Sequence, residues 1–564
     1  MKKIITCAFI FSTIGSFAQN SVAQDSLKGW HLKEKNTDGF AGINLKKAYE
    51  KLQNKKSSSV IVAVIDSGVD TLHEDLKPVL WKNEKEIPNN GIDDDGNGYV
   101  DDVYGWNFLG NKNGTNIEKA AAEKARVYHA YKAKYEGKQI DESKLSKDEL
   151  YTYKMWKRAA AGIETSTNTA MQLMQYERIA KNLAEWDSLI CTEGKVKEYS
   201  ATELEKLTLA TSAAQKAKLS FLRLMKALPF GDDAKSSFII ETLSEEVERL
   251  RDEVEAKDKA PADLRAEVTK DNYNDINDRF YGNSDVMGKG SRHGTHVSGI
   301  IAAVRGNGVG MDGVANNVKL MTIRAVPNGD EYDKDIALAV RYAVDNGAKV
   351  INMSFGKGFS PEKKWVDEAF KYAASKDVLI IHAAGNDAKN VDSSENYPCP
   401  EFLNGEWANN VITVGASSDV SIANNYIATF SNYGKKGVDV FAPGNQIYST
   451  LPGGTTYGFL DGTSMASPVV AGLAALVRSY FPNLSAVQVK QSIEQSVAVA
   501  NVSDITFRPG TNEKISMTEL CKTGGFIDAF GAIQAAETIN TQATEKTKQQ
   551  PLPKSTFKNI KPKQ

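Results

Sequence analysis

Asp461-Gly462-Thr463-Ser464-Met465-Ala466-Ser467-Pro468 runs straight into Val469-Val470-Ala471-Gly472-Leu473-Ala474-Ala475-Leu476. Small residues crowd a turn, and apolar and small residues then follow at helical spacing. A helix so apolar belongs in the middle of a protein. Ser464 therefore stands where a buried helix begins, among backbone N–H groups without intrahelical acceptors and at the positive end of the helix dipole. Negative charge developing beside such a serine is stabilised. Pro468 falls about one turn in, where a missing N–H costs little. A serine that merely caps a helix has the same local look. A base and an orienting acid have to come from elsewhere in the chain.

Strand signals supply the setting. Val60-Ile61-Val62-Ala63-Val64-Ile65 is the β-branched run of a buried parallel strand, and Asp66-Ser67-Gly68 follows at once. Val318–Ile323, Val350–Ser354, Val378–Ala383 and Val411–Ala416 also read as strands, with helical stretches at Lys334–Asn346 and Lys364–Ser375. Such alternation predicts an α/β fold: a doubly wound, mostly parallel sheet with helices on both faces. Functional groups in these sheets collect at the C-terminal ends of strands, where Asp66 falls, although a lone Asp there can equally cap a turn. His293 opens a helix rich in small residues and can project into a cleft, while Gly294 leaves room for a substrate backbone. His296 shares its face and raises the possibility of zinc, but no third ligand with a supporting carboxylate stands nearby. Asn386 follows Ala384-Gly385 at a strand end, where its amide can donate to an oxyanion or hold a turn.

Composition bounds the remaining possibilities. A chain of 564 residues holds one large catalytic core and an additional region. A net charge of −2 and 41% hydrophobic residues are globular values that give no hint of a nucleic-acid partner. Met1-Lys2-Lys3, the apolar run Ile4–Phe17 and the small-x-small step Ser16-Phe17-Ala18 read as a signal peptide over residues 1–18. Export to the periplasm or the exterior is expected. Cys7 lies inside the apolar run, too early for lipid attachment, and no later stretch is apolar and long enough to span a bilayer. Cys191, Cys399 and Cys521 remain; their odd number argues for buried thiols over a Cys399–Cys521 bridge.

Asp93-Asp94-Asp95-Gly96-Asn97-Gly98-Tyr99-Val100-Asp101-Asp102 alternates oxygen donors around a glycine. This is the logic of a calcium loop, with Asp93, Asp95 and Asn97 as side-chain ligands, the Tyr99 carbonyl, and Asp101 or Asp102 completing the shell. The twelfth position is Tyr104, so the EF-hand's closing Glu is missing. A solvated acidic turn is the alternative. Residues 112–270 change character: no proline stands between Pro88 and Pro229, and Ile179, Leu183, Trp186, Ile190 and then Leu243, Val247, Leu250, Val254 recur at helical spacing. An all-α insertion is predicted there, with His129 a packing residue. Residues 541–564 are predicted to be a disordered basic tail.

Four motifs together carry a resemblance. Val64-Ile65-Asp66-Ser67-Gly68, His293-Gly294-Thr295-His296-Val297, Ala384-Gly385-Asn386 and Gly462-Thr463-Ser464-Met465-Ala466-Ser467-Pro468, in that order, resemble the subtilase (subtilisin-like) family of serine peptidases. The likeness covers residues 40–111 and 272–537, including Gly525-Phe526-Ile527-Asp528-Ala529. It implies a subtilisin-like fold built from segments 19–111 and 271–540. It implies endopeptidase cleavage of proteins or peptides through an acyl-enzyme, without an organic cofactor. Ser464 is then the nucleophile, His293 the base, Asp66 its orienting acid, and Asn386 a donor to the oxyanion. Ser354, Phe355, Gly356, Ala384 and Gly385 would line the edge where substrate adds as a strand. Two departures stand out. Phe355 and Lys357 occupy positions where smaller or simpler residues are usual in the family. The roughly twenty residues between Ala18 and the core leave no room for a folded propeptide. The insertion is therefore expected to serve as a lid or cleft wall, or as a peripheral docking module. A secreted binding protein that kept the fold and lost activity is the other functional reading; intact Asp66, His293, Ser464 and Asn386 speak against it.

Overall fold

The computed structural model describes residues 24–163, 167–228, 234–497 and 505–549. The expected signal peptide and the last fifteen or so residues of the expected tail lie outside them. Strand β1 (Val60–Asp66) is buried at nearly every position. It is followed by β2 (Gly105–Asn107), β3 (Val318–Arg324), β4 (Val350–Met353), β5 (Leu379–Ala383), β6 (Val411–Ser417) and β7 (Val440–Pro443). All pair in parallel, in the order β2-β3-β1-β4-β5-β6-β7. Strand order reverses at β1, which opens a crevice at its C-terminal end. A small antiparallel hairpin, β8 (Ile447–Leu451) with β9 (Thr456–Leu460), stands beside the sheet.

After β2 the chain enters a helical region. Its longer helices are α1 (Glu123–Tyr135), α2 (Lys147–Gly162), α3 (Thr167–Gly194), α4 (Ser212–Ala227) and α5 (Ser236–Glu255). Leu183 and Ile190 of α3, with Ile179 and Trp186 beside them, pack on Phe221 and Met225 of α4. Tyr176 of α3 meets Val247 and Leu250 of α5. His129 is a packing residue, its Nε2 2.9 Å from the Ala256 carbonyl.

The chain rejoins the sheet through α6 (Arg292–Ala302), α7 (Asp333–Asp345), α8 (Lys363–Ser375) and α9 (Thr463–Tyr480). Alternation along β1 assigns the two faces. Val62 and Val64 point to one side, where Val297, Ile300 and Ile301 of α6 and the apolar face of α9 fill the core. Ala63 and Ile65 point to the other, onto Ile336, Leu338 and Val340 of α7 and Val366 and Phe370 of α8. This is the expected doubly wound sheet. Helix α10 (Ala529–Gln549) runs past residue 540, into the stretch expected to be a tail. Its base is held because Ala532, Ile533, Ala536 and Ile539 pack on the core. Cys191, Cys399 and Cys521 are free thiols. Among the described residues no helix is long and apolar enough to cross a membrane.

The start of α6 lies hard against the loop after β1. A Cβ on Gly294 would sit 2.2 Å from the Gly68 carbonyl oxygen and 3.1 Å from Asp66 Cβ. Gly294→Ala must therefore push α6 off the loop, and we expect a loss of about 1–3 kcal/mol in urea denaturation. Gly290→Ala, with open space around it, is expected to change stability by less than about 0.5 kcal/mol.

Candidate active site

Asp66 ends β1 with only 1% of its surface exposed. Its Oδ1 accepts from the Ser67 N–H at 2.7 Å and from His293 Nδ1, also at 2.7 Å. An ionised carboxylate only accepts, so Nδ1 carries the proton and Nε2 is left as the basic nitrogen. His293 enters the cleft from the first turn of α6 with its side chain 37% exposed. Burial pushes the imidazole pKa down, but the charge of Asp66 and its hydrogen bond outweigh that, and the net shift is upward from 6.5. His296 faces the other way. Its Nε2 is 3.1 Å from the Gly458 carbonyl of β9, and burial lowers its pKa to about 3. It is a neutral structural ring, and the two histidines form no zinc pair.

From Gly462 to Ser479 every residue is buried except Ser464, the second residue of α9. Its hydroxyl donates to the Ser354 carbonyl at 2.9 Å, and the Ser354 hydroxyl donates back to the Ser464 carbonyl at 2.9 Å. Asn352 supports this clasp: its Nδ2 donates to Ser354 Oγ at 3.0 Å, and its Oδ1 accepts from Ser467 at 2.8 Å. The end of β4 and the start of α9 are thus tied together through the expected Ser354 and Ser464, with support from Asn352 and Ser467, to which the sequence assigned no role. Asn386 is oriented from behind, its Oδ1 accepting from the Thr463 N–H at 2.8 Å and from Thr463 Oγ1 at 2.9 Å. Its Nδ2 then faces the cleft. The point where a Cβ on Gly462 would lie is 3.4 Å from that Nδ2 and 3.5 Å from the Ser464 backbone nitrogen. Two donors border one small space that glycine leaves open, as an oxyanion requires.

Asp66, His293, Asn386 and Ser464 line a single cleft of about 750 Å³. Ser354, Phe355, Gly356 and Gly385 line it too, as do residues 326–331. Ala384, expected with them, is fully buried, and its carbonyl accepts from Asn396 at 3.0 Å and from Asn432 at 2.9 Å. It supports the edge from behind. The unusual Lys357 is explained by burial: its Nζ meets Glu123 at 2.7 Å, Asp333 at 2.8 Å and the Glu331 carbonyl at 2.8 Å. No local signal marks Lys357 for this role, because Glu123 lies in the insertion.

The acidic loop gathers three carboxylates, and one is unexpected. Glu86, Asp93 and Asp95 bring ligand oxygens within 4.8 Å of one another. These hard oxygen donors suit calcium, and each keeps a lone pair beyond its bonds to backbone N–H groups. Asn97 and Tyr99 shape the turn: Asn97 Oδ1 accepts from the Tyr99 N–H at 2.8 Å. Asp102 turns away. Its oxygens accept from Asn83 at 2.8 Å, Asn97 at 3.1 Å and Tyr342 at 2.6 Å. Burial pushes its pKa up to about 6 against those bonds.

Comparison with known proteins identifies the family. The family model described as Subtilase family matches residues 57–514. A "Thermophilic serine proteinase" of Bacillus sp. (strain AK1) is 39% identical over 221 residues, 39% of this chain and 50% of that protein. The "Cell wall-associated protease" of Bacillus subtilis (strain 168) is 37% identical over 251 residues, 44% of this chain and 25% of its own. Thermitase of Thermoactinomyces vulgaris is 36% identical over 256 residues, 45% of this chain and 79% of thermitase. The chain thus spans half or less of the length of the first two relatives. With the family match running from before β1 to beyond α9, this chain belongs to the subtilase family.

Proposed function

We propose that this chain is an exported serine endopeptidase that cleaves peptide bonds through an acyl-enzyme. The observation that carries the reading is the 2.7 Å bond from Asp66 to His293 in the cleft that holds Ser464. His293 Nε2 takes the Ser464 proton as the hydroxyl swings off the Ser354 carbonyl, and later returns it to the leaving amine. Asp66 stabilises the imidazolium that forms between these steps. Asn386 Nδ2 and the Ser464 N–H receive the oxyanion; one such donor is worth about 3 kcal/mol in the transition state. Export rests on the N-terminal signal reading, and the cell-wall association named for one relative agrees with it.

A fluorophosphonate probe tests the nucleophile. Labelling of the wild type and none of Ser464→Ala is expected; a folded wild type that stays unlabelled would point to the inactive binding protein instead.

The pH profile tests the base. A protonated imidazole cannot accept a proton, so acylation rises as pH climbs through the His293 pKa, which lies above 6.5. Asp66→Asn removes the upward pull and leaves burial. Its labelling rate should fall by about 10⁴-fold, with the limb moved below the wild-type one.

We propose calcium as a structural ion held by Glu86, Asp93 and Asp95, its charge offsetting their mutual repulsion. At about a hundredfold above its Kd it should stabilise the fold by roughly 2.7 kcal/mol. Calorimetry with calcium and with chelator should separate the melting midpoints of the wild type but not those of Asp93→Ala/Asp95→Ala.

A further inference from the structure

The helical insertion does not stand apart from the cleft. Phe238, Glu241 and Glu245 of α5 line the same cavity as Asp66, His293 and Ser464. Arg292, the residue before His293, donates to Thr242 Oγ1 and to Glu245 Oε2, both at 2.9 Å, and its guanidinium lies 4.8 Å from the centre of the Phe238 ring. Further along α5, Lys119 pairs with Glu248 at 3.2 Å and Asp252 at 2.9 Å. The segment carrying Lys119 adds to the cleft wall as a short strand, with Asn328 N–H to Glu118 O at 2.9 Å and Ala120 N–H to Asn328 O at 2.8 Å.

Helix α1 takes up more of that wall. Arg126 donates to the Asp330 carbonyl at 3.0 Å and the Glu331 carbonyl at 2.9 Å, and the Glu123 N–H donates to Asp330 Oδ2 at 2.7 Å. The carbonyls of Asn328, Asp330 and Glu331, acceptors a peptide could use, are therefore bonded to the insertion. The edge left for a substrate strand is Ser354–Gly356, with α5 standing along the cleft as a wall. A cavity of about 750 Å³ is of the size that encloses a drug-sized ligand, equivalent to a short run of residues.

From this arrangement, and resting on the peptidase reading above, we propose that the insertion is a size filter set by α5. The cleft admits a single extended, unfolded peptide strand and turns away the surface loops of folded proteins, whose flanking structure collides with α5. Arg292 with Glu245 and Thr242 forms the latch that holds the wall in place.

The test uses the full chain and two latch variants, Glu245→Lys and Thr242→Val/Glu245→Ala. Each is assayed on a short fluorogenic peptide, on a disulfide-intact folded protein, and on that protein reduced and alkylated. The wild type should cut the unfolded form far faster than the folded one. Loosening the latch should raise kcat/KM on the folded protein by about an order of magnitude, with the short peptide changed less than about twofold. An unchanged folded-to-peptide ratio in both variants overturns the proposal. A measurement on the wild type alone guards against variants that do not fold: labelling of Ser464 by a free fluorophosphonate, compared with the same warhead tethered by a short linker to a folded carrier protein. Labelling by the free probe alone supports the filter, and equal rates overturn it. Failure of the free probe as well sinks the peptidase reading itself.

Discussion

A carboxylate at 1% exposure is costly unless something compensates its charge, and at Asp66 the compensation comes from a residue 227 positions away. That one contact fixes much else. The Asp66 side chain holds the first turn of α6 through His293, and its backbone carbonyl accepts from the Ala325 and Val326 N–H groups as the chain leaves β3. Three segments distant in sequence are thereby brought to the crevice where strand order reverses. Gly294 lets α6 approach closely enough for the bond to form, and Ser464 arrives opposite because α9 fills the same face of the sheet as α6.

Buried charge also explains how the insertion is attached. Lys357 is 2% exposed, and an ammonium there needs partners for its three protons. Glu123, Asp333 and the Glu331 carbonyl provide them, joining α1, α7 and the cleft wall at one point. At the other root of the insertion, Arg265 grips Asp335 at 2.7 Å and Asp271 at 2.8 Å, and Lys334 meets the same Asp271 at 2.6 Å. Both roots thus end on the start of α7, immediately after the wall residues 328–331. The roots so tied cannot drift from the cleft without stripping charges of their partners.

What could be read from the sequence follows from whether a signal is local. Asp66 ends a β-branched run, His293 opens a small-residue helix, and Ser464 opens an apolar one, so each stands where a periodicity begins or stops. The central strands were legible for the same reason. Glu86 gave no warning: its tie to Asp93 and Asp95 depends on the turn between them, and nothing in Glu84-Lys85-Glu86-Ile87 has a period. Lys357 was visible only as an oddity, since its partners come from elsewhere in the chain. The helix that begins at Ala529 was legible only at its base, where Ile533, Ala536 and Ile539 recur at helical spacing and pack on the core. Trp30, fully buried with its indole N–H on the Asn445 and Gln446 carbonyls at 3.1 and 3.0 Å, was likewise unreadable. Its stretch is mixed, and its burial depends on residues more than four hundred positions on.

An insertion this long is compatible with the fold because of how it begins and ends. Asn107, the last residue of β2, and Asn283 exchange backbone hydrogen bonds at 2.9 and 3.1 Å. Their side chains join at 2.9 Å, and Asn283 Nδ2 donates to the Asn111 carbonyl at 3.0 Å. Everything between is looped out from this hydrogen-bonded neck. Closing a loop costs entropy that grows only with the logarithm of its length, so lengthening the excursion barely burdens the sheet. A neck at the C-terminal end of β2 also opens on the side of the sheet where Asp66 ends β1. Sequence added there emerges beside the cleft, and even a modest apolar or charged contact, such as Arg292 with α5, is enough to turn added length into a wall of the site.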